Sequence, residues 1–296
     1  MENFWSNYIQ TTEELYYSRD LRFNDGNKEL WLSEIGAESG NKILEIGCAG
    51  GTFCNKIKKY IPDTEITGID LDSAHIAFAK EKSAELGLKC NFLCGDALQL
   101  PFGNDTFDLC YSHTVAEHVP HKPFFDEQYR VLKKGGRMTV LSVRTRLGLK
   151  DINFPKMSEE EYSLLEKAWS RAGNFDAEND IGKYEIGEHE YPKELEASGF
   201  GHINVKLFTV MDYAPDSSDV PDEIALKQIN YRRLCSLASV QKALRIAPDA
   251  LTDKERERLL HLINVRFDKR INQYNNGQKI WDFSSSTVLA VSGIKA

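Results

Sequence analysis

The chain has 296 residues, 41% hydrophobic and 28% charged, proportions that suit a folded globular protein and argue against disorder or a membrane-embedded body. A formal charge of −8 argues against a broad phosphate-binding surface, because non-specific nucleic-acid affinity rests on clustered Lys and Arg; no nucleic-acid partner is expected. The opening MENFWSNYIQTTEELYY lacks a basic stretch followed by an apolar run, and no long uncharged apolar run occurs, so neither secretion nor a membrane partner is expected.

In chain order, an N-terminal helical segment carrying Tyr16, Tyr17 and Arg19 precedes a run of alternating strands and helices that begins near residue 42. Lys42 to Ile46, Glu65 to Ile69, Lys89 to Cys94, Phe107 to Ser112 and Arg137 to Val143 read as five strands, each apolar enough for burial on both faces. Alternation of this kind predicts an α/β protein with a mostly parallel sheet and helices on both faces. Ser73 is placed to cap a helix from Ala74 to Leu86, and Gly87 to end it in the left-handed conformation. A further helix is expected from Pro123 to Lys133, stopped by Gly135 and Gly136.

Residues 145 to 190 are polar, aromatic and irregular, which suits a loop or short helices over the sheet's C-terminal edge. Pro192 to Ser198 reads as a short helix, and His202 to Val210 and Ser286 to Ser292 as the last two strands. Between those strands two amphipathic helices are predicted, one carrying Ile224, Ile229, Leu237 and Val240, the other Leu259, Ile263 and Phe267. Thr252 and Glu255 form a capping box at the start of the second. The whole chain, 1–296, reads as one domain: a lid over 1–38, a core over 40–145, and cap segments over 146–190 and 214–280.

The chemistry concentrates at the strand ends. Leu44-Glu45-Ile46-Gly47-Cys48-Ala49-Gly50-Gly51 is a glycine-rich turn that leaves the first strand and opens a helix, where small residues let backbone approach a ligand and free N–H groups face negative charge. Asp70 ends the second strand, where a carboxylate can hold both ribose hydroxyls, and Asp96 follows the third. Either aspartate alone would read as a cap or turn residue; their joint register favours binding. The six cysteines, among them Cys48, Cys54 and Cys110, form no CxxC pair and read as reduced thiols of a cytoplasmic protein.

LEIGCAGG (44–51), TGID (67–70), GDALQLPF (95–102), FDLCYSHTVAEHV (107–119) and VLKKGGRMTV (131–140) together resemble the class I S-adenosylmethionine-dependent methyltransferases, more narrowly the small-molecule group of ubiquinone and menaquinone biosynthesis. That resemblance implies a Rossmann-like seven-stranded sheet with an N-terminal helical lid and helical insertions. It implies S-adenosylmethionine as cofactor, with Glu45, Gly47, Ala49 and Gly51 on its methionine side, Asp70 on the ribose, Leu71 and Ala97 against the adenine and Asp96 on its amino group. Ser112 and His113 would lie near the sulfonium, and Arg19 would meet the donor's carboxylate.

Ala49 stands where the commonest form of the motif has glycine, so the turn must keep a dihedral that alanine permits. No Asp/Asn-Pro-Pro-Tyr/Phe follows the fourth strand, which disfavours the amino-methylating nucleic-acid and glutamine enzymes. His113 and His118 are the candidate bases, since histidine titrates near neutrality; for His118 a packed or capping role weighs equally. The spacing of His113, His118 and His121 fits no metal site, and no metal is expected. Glu188-His189-Glu190-Tyr191 either orients an acceptor or is an exposed polar loop, and Phe154, Tyr162, Trp169, Phe175 and Tyr184 either form an apolar lid or fill the cap. The expected activity is methyl transfer to a small-molecule acceptor; a nicotinamide-dependent oxidoreductase, a non-catalytic donor-binding protein and an RNA or protein methyltransferase are the rivals. Acceptor, attacked atom and oligomeric state are not legible.

Overall fold

The computed structural model describes residues 3–149 and 155–296. A π-helical turn (Trp5–Ile9) leads into α1 (Thr12–Arg22) and α2 (Lys28–Ile35). Then β1 (Lys42–Ile46), α3 (Thr52–Tyr60), β2 (Glu65–Asp70), α4 (Ser73–Glu85), β3 (Asn91–Cys94), β4 (Phe107–His113), α5 (His121–Val131) and β5 (Leu132–Arg144) form the core. After it come α6 (Glu159–Ala172), α7 (Phe175–Glu178), α8 (Tyr191–Ala197), β6 (Phe200–Met211), α9 (Asp222–Ile246), α10 (Asp253–Asn275) and β7 (Ser285–Lys295).

The seven strands make one sheet in the order β3-β2-β1-β4-β5-β7-β6; β7 runs antiparallel to both neighbours and the other pairs are parallel. The order reverses direction between β1 and β4, which puts the switch point of the sheet above the carboxyl ends of those two strands, where ligands of open α/β sheets bind. One core lies beneath α2 and α3 and includes Phe23, Trp31, Phe53 and Tyr111; the opposite face holds Phe107, Phe124, Phe125 and Tyr191.

Several boundaries differ from the sequence reading. β3 begins at Asn91, two residues after Lys89. Asp72, not Ser73, caps α4, its carboxylate accepting from the N–H groups of Ala74 and His75; Gly87 does adopt the left-handed conformation, at φ +65°. α5 stops at Val131 because Leu132 already pairs with Phe107 of β4, and the register slips before Leu109 pairs with Arg137. Gly135, at φ +77°, therefore sits inside β5 instead of ending the helix.

The stretch read as loop or short helices contains α6, fourteen residues long. Ser158 caps it through Glu161 N–H, three glutamates occupy its first turn, and Leu164, Leu165 and Ala168 pack into a third core with Ile229, Val240, Leu259, Ile263 and Phe267. The predicted capping box of Thr252 and Glu255 is formed at the start of α10. Ion pairs bolt this cap together: Arg266 meets Glu161 at 3.0 Å, and the fully buried Arg270 meets Asp282 and Asp216. Among the described residues no helix is long and apolar enough to cross a membrane.

Candidate functional site

The glycine-rich turn rises from β1 and is pinned to β2, with Gly47 N–H and Cys48 N–H both donating to Ile69 C=O, at 2.8 and 3.1 Å. Gly47, Ala49 and Gly51 take positive φ values of 69°, 46° and 77°. A Cβ on Gly47 would meet Val115 Cγ2 at 2.3 Å, and one on Gly51 would meet the Phe92 ring at 2.8 Å. Both glycines are thus required by conformation and by space. Ala49 occupies the left-handed region, which alanine tolerates at a cost of about 1 kcal/mol.

Asp70 ends β2 as expected, yet its carboxylate braces two turns: it accepts from Ala49 N–H at 2.8 Å and Asp72 N–H at 2.9 Å, with His75 Nδ1 3.4 Å away. Burial works to raise its pKa, but His75 and the two N–H groups outweigh it and hold the carboxyl below the usual range. Leu71 beside it is 74% exposed, an apolar side chain left open to solvent. Asp96 is exposed and accepts from Leu98 N–H at 2.8 Å, capping its own turn, while Ala97 is half-buried against the second core. Gly95 N–H donates to Asp70 C=O and ties the two acid-bearing strand ends together.

Glu45 is buried and accepts from the backbone N–H of Cys54 at 3.1 Å and its thiol at 2.9 Å. Burial pushes its pKa up to about 7 against the pull of Cys54, Arg19 and Tyr111. Arg19, from α1, is also buried; burial lowers its guanidinium pKa while the charges of Glu45 and Asp70 work to raise it. Its Nε donates to His113 Nδ1 at 3.3 Å. His113 is enclosed by Phe23 and Phe53, with ring centroids 5.1 and 5.3 Å away, and burial drives its pKa well below 6.5, so it is neutral. Its Nδ1 lone pair is committed to Arg19, leaving a buried Nε2 without a protein partner; Ser112 Oγ, one residue earlier in β4 and so directed to the other face of the sheet, is buried and unpartnered as well.

His118 has spent its Nδ1 lone pair as well, on Gly182 N–H at 3.0 Å, and Trp5 packs edge-on against its ring at 4.6 Å. With both Nδ1 lone pairs spent, each of these histidines carries its proton on Nε2 and keeps no free basic lone pair. The Arg19 segment does close over the turn: Thr52 Oγ1 donates to Tyr16 C=O, Ser6 N–H donates to Asp72, and Asn3 Oδ1 accepts from Ser73 Oγ. Sequence reading missed these latches, and Val115, because none of them belongs to a periodic or motif pattern.

The aromatic series does not form one lid. Phe175 stacks on Phe4 and Tyr8 of the N-terminal segment, Trp169 donates to Ser239 inside the cap, and Tyr184 packs by His121. Tyr162 is 60% exposed, and Phe154 lies outside the described residues. Tyr191 is wholly buried, and Glu188 lies 3.5 Å from Arg144 and from Arg146. Among the described residues no group of His, Cys, Asp and Glu is arranged to hold a metal ion.

Residues 43–136 match the family model described as "Methyltransferase domain". The chain is 29% identical over 220 residues to an erythromycin 3''-O-methyltransferase of Saccharopolyspora erythraea, covering 69% of this chain and 68% of that protein. It is 30% identical over 128 residues to a demethylmenaquinone methyltransferase of Thermus thermophilus, covering 43% of this chain and 56% of that protein. The chain spans about half the length of the curated relatives it first matches. A Haemonchus contortus phosphoethanolamine N-methyltransferase solved with S-adenosylhomocysteine shares the fold at a TM-score of 0.54 and 14% identity, covering 99% of this chain and 59% of that one.

Proposed function

We propose, from the membership of this chain in the class I S-adenosylmethionine-dependent methyltransferases, that it binds S-adenosylmethionine above β1 and β4 and transfers its methyl group to a small-molecule acceptor. The observation that carries the reading is the turn at Gly47 to Gly51, held at the switch point of the sheet by Asp70 and roofed by α1. The residues fit the donor: a turn whose Gly47 and Gly51 have positive φ and no room for a side chain against Val115 and Phe92, orphaned polar atoms on Ser112 and His113, and the buried cation Arg19. Bound there, S-adenosylmethionine supplies an electrophilic methyl group on sulfur.

The chain's own contribution is alignment and exclusion of water. Gly47 and Gly51 let the backbone come close, Arg19 is placed to pair with a carboxylate, and Asp70 is placed to accept from ribose hydroxyls if it yields one of its backbone partners. Leu71 and Ala97 offer apolar surface to a purine and Asp96 a carboxylate to its amino group. The N-terminal segment sheds water by latching onto Asp72 and Ser73. The acidic balance favours a small acceptor over a nucleic acid, and six free cysteines, three of them buried with thiol pKa raised by burial, suit a reducing cytoplasm.

Calorimetric titration with S-adenosylmethionine, S-adenosylhomocysteine and NAD tests the reading. Binding of both sulfur compounds, lost in Asp70→Ala, is expected; binding of NAD alone, or of nothing, would overturn it. Donor binding with no turnover over a broad panel of acceptors would favour a non-catalytic donor-binding protein instead.

A further inference from the structure

Outside the donor cradle, buried polar atoms without partners gather at one place. Glu117 follows β4 in the turn Ala116–His118; its Oε1 accepts from Ser142 of β5, while its Oε2 is buried and unpartnered. Two residues on from Ser142, Arg144 is buried with Nε and Nη2 unpartnered, its nearest carboxylates, Glu188 and Glu185, standing at 3.5 and 3.8 Å. The Tyr191 hydroxyl at the start of α8 is buried without a well-formed hydrogen bond, its polar neighbours being Ser142 and Arg144, and the Arg144 guanidinium lies 5.4 Å from its ring centroid. Buried polar atoms without well-formed hydrogen bonds are costly, so four of them on three residues of converging elements mark a site built for a ligand group.

The cluster adjoins the donor cradle. Val115, whose Cγ2 occupies the space a Cβ on Gly47 would need, is two residues before Glu117, a reach of at most about 7 Å along the chain. We propose that Glu117, Arg144 and Tyr191 form the acceptor subsite, that the group it receives is a hydroxyl, and that Glu117 Oε2 takes the hydroxyl proton. This rests on the methyl-transfer reading above.

A hydroxyl both donates and accepts: it can give its hydrogen to Glu117 Oε2 and receive from Tyr191 or Arg144. An ammonium would meet the buried guanidinium, and a carboxylate would meet Glu117, so neither suits the set. In the transfer, the acceptor oxygen bonds to the methyl carbon while the carbon–sulfur bond breaks and leaves its electron pair on sulfur. The oxygen's proton passes to Glu117, and Arg144 stabilises the charge that grows on oxygen. Burial raises the Glu117 carboxyl toward neutrality, Ser142 and Arg144 pull it back, and Glu185 pushes it up further. Tyr191, lifted by burial to about 12, stays protonated as a donor. The other titratable groups around the turn are His118 on the turn itself, His121 of α5, whose Nε2 lies by Ala116 C=O, and Tyr184, whose N–H donates to Glu117 C=O.

Phenol and its methyl ether anisole, titrated into the protein loaded with S-adenosylhomocysteine and followed by NMR, test the assignment without turnover. Phenol should bind about tenfold tighter than anisole, the scale of one hydrogen bond to a charged group, with an affinity that falls on the acid side as Glu117 takes up a proton. Glu117→Gln should abolish both the preference and the acid limb while leaving S-adenosylhomocysteine affinity unchanged; Tyr191→Phe should reduce the preference alone. Equal binding of phenol and anisole, or an acid limb that survives in Glu117→Gln, overturns the subsite. Should Glu117→Gln lose S-adenosylhomocysteine binding through misfolding, the Tyr191→Phe comparison decides. Failure of the wild type to bind S-adenosylhomocysteine would instead count against the methyltransferase reading itself.

Discussion

Replacing Glu45 by glutamine should remove a pH-dependent penalty on folding that its buried carboxylate imposes. In the folded chain this carboxyl has a pKa of about 7, against 4.5 for a glutamate free in water. Below pH 4.5 both states hold the proton and the residue is neutral in the balance. Between 4.5 and 7 the unfolded chain has released the proton while the folded chain retains it, so stability falls as pH rises; above 7 the loss is complete and constant. A rise from 4.5 to about 7 corresponds to roughly 3 kcal/mol, a large part of the 5–15 kcal/mol that holds a typical domain together. Glutamine keeps an oxygen for Cys54 N–H but does not titrate. Urea unfolding followed by tryptophan fluorescence at pH 4 to 8 gives the comparison, because other groups titrate in both proteins and cancel on subtraction. The difference in stability, variant minus wild type, should grow by about 3 kcal/mol across that range. Parallel curves would refute the reasoning and mean that Arg19 fully compensates the buried charge.

The double variant Asp216→Ala/Asp282→Ala should destabilise the cap by about 3–5 kcal/mol in urea unfolding, since together the two changes strand the fully buried Arg270 cation. Gly47→Ala forces its Cβ onto Val115 Cγ2 at 2.3 Å and should abolish S-adenosylhomocysteine binding by calorimetry. Gly135→Ala, with a similar positive φ but nothing within 4 Å, should cost only about 1 kcal/mol of stability and leave that binding intact. Trp5→Ala removes the ring that packs on His118 at 4.6 Å and should speed dissociation of S-adenosylhomocysteine in stopped-flow measurements, with a smaller change in association rate.

The sheet was legible because its strands carry a signal that tertiary context does not revise: apolar runs buried on two faces, separated by caps and glycines. What failed were details decided by long-range contacts. Asp72 and Ser73 are both good cap formers, and which one serves depends on their other ties: Asp72 also receives Ser6 N–H, and Ser73 turns to Asn3, some seventy residues away in sequence. The helix expected to run to Lys133 ended at Val131 because pairing of Leu132 with Phe107 competes with one more helical turn. α6 was hidden by its polar face: its apolar residues make sense only against α9 and α10.

The proposed donor site leaves local marks in the sequence and the proposed acceptor subsite does not, for a physical reason. A ligand held by backbone at strand ends leaves local marks, namely glycines that must adopt positive φ and acids at fixed register, and Gly47, Gly51 and Asp70 are found where those marks put them. The role of Asp70 shows the limit even there, because its carboxylate holds Ala49 N–H and so shapes the turn. The acceptor subsite proposed above draws on side chains of separate elements: Glu117 after β4, Arg144 at the end of β5 and Tyr191 opening α8. No spacing links them in sequence. Histidine drew attention instead because it titrates near neutrality in water, but His113 is buried against Arg19 and two phenylalanines, and burial shifts a base away from neutrality as readily as it shifts Glu117 toward it. The residue suited to move a proton is therefore chosen by its surroundings, which only the fold supplies.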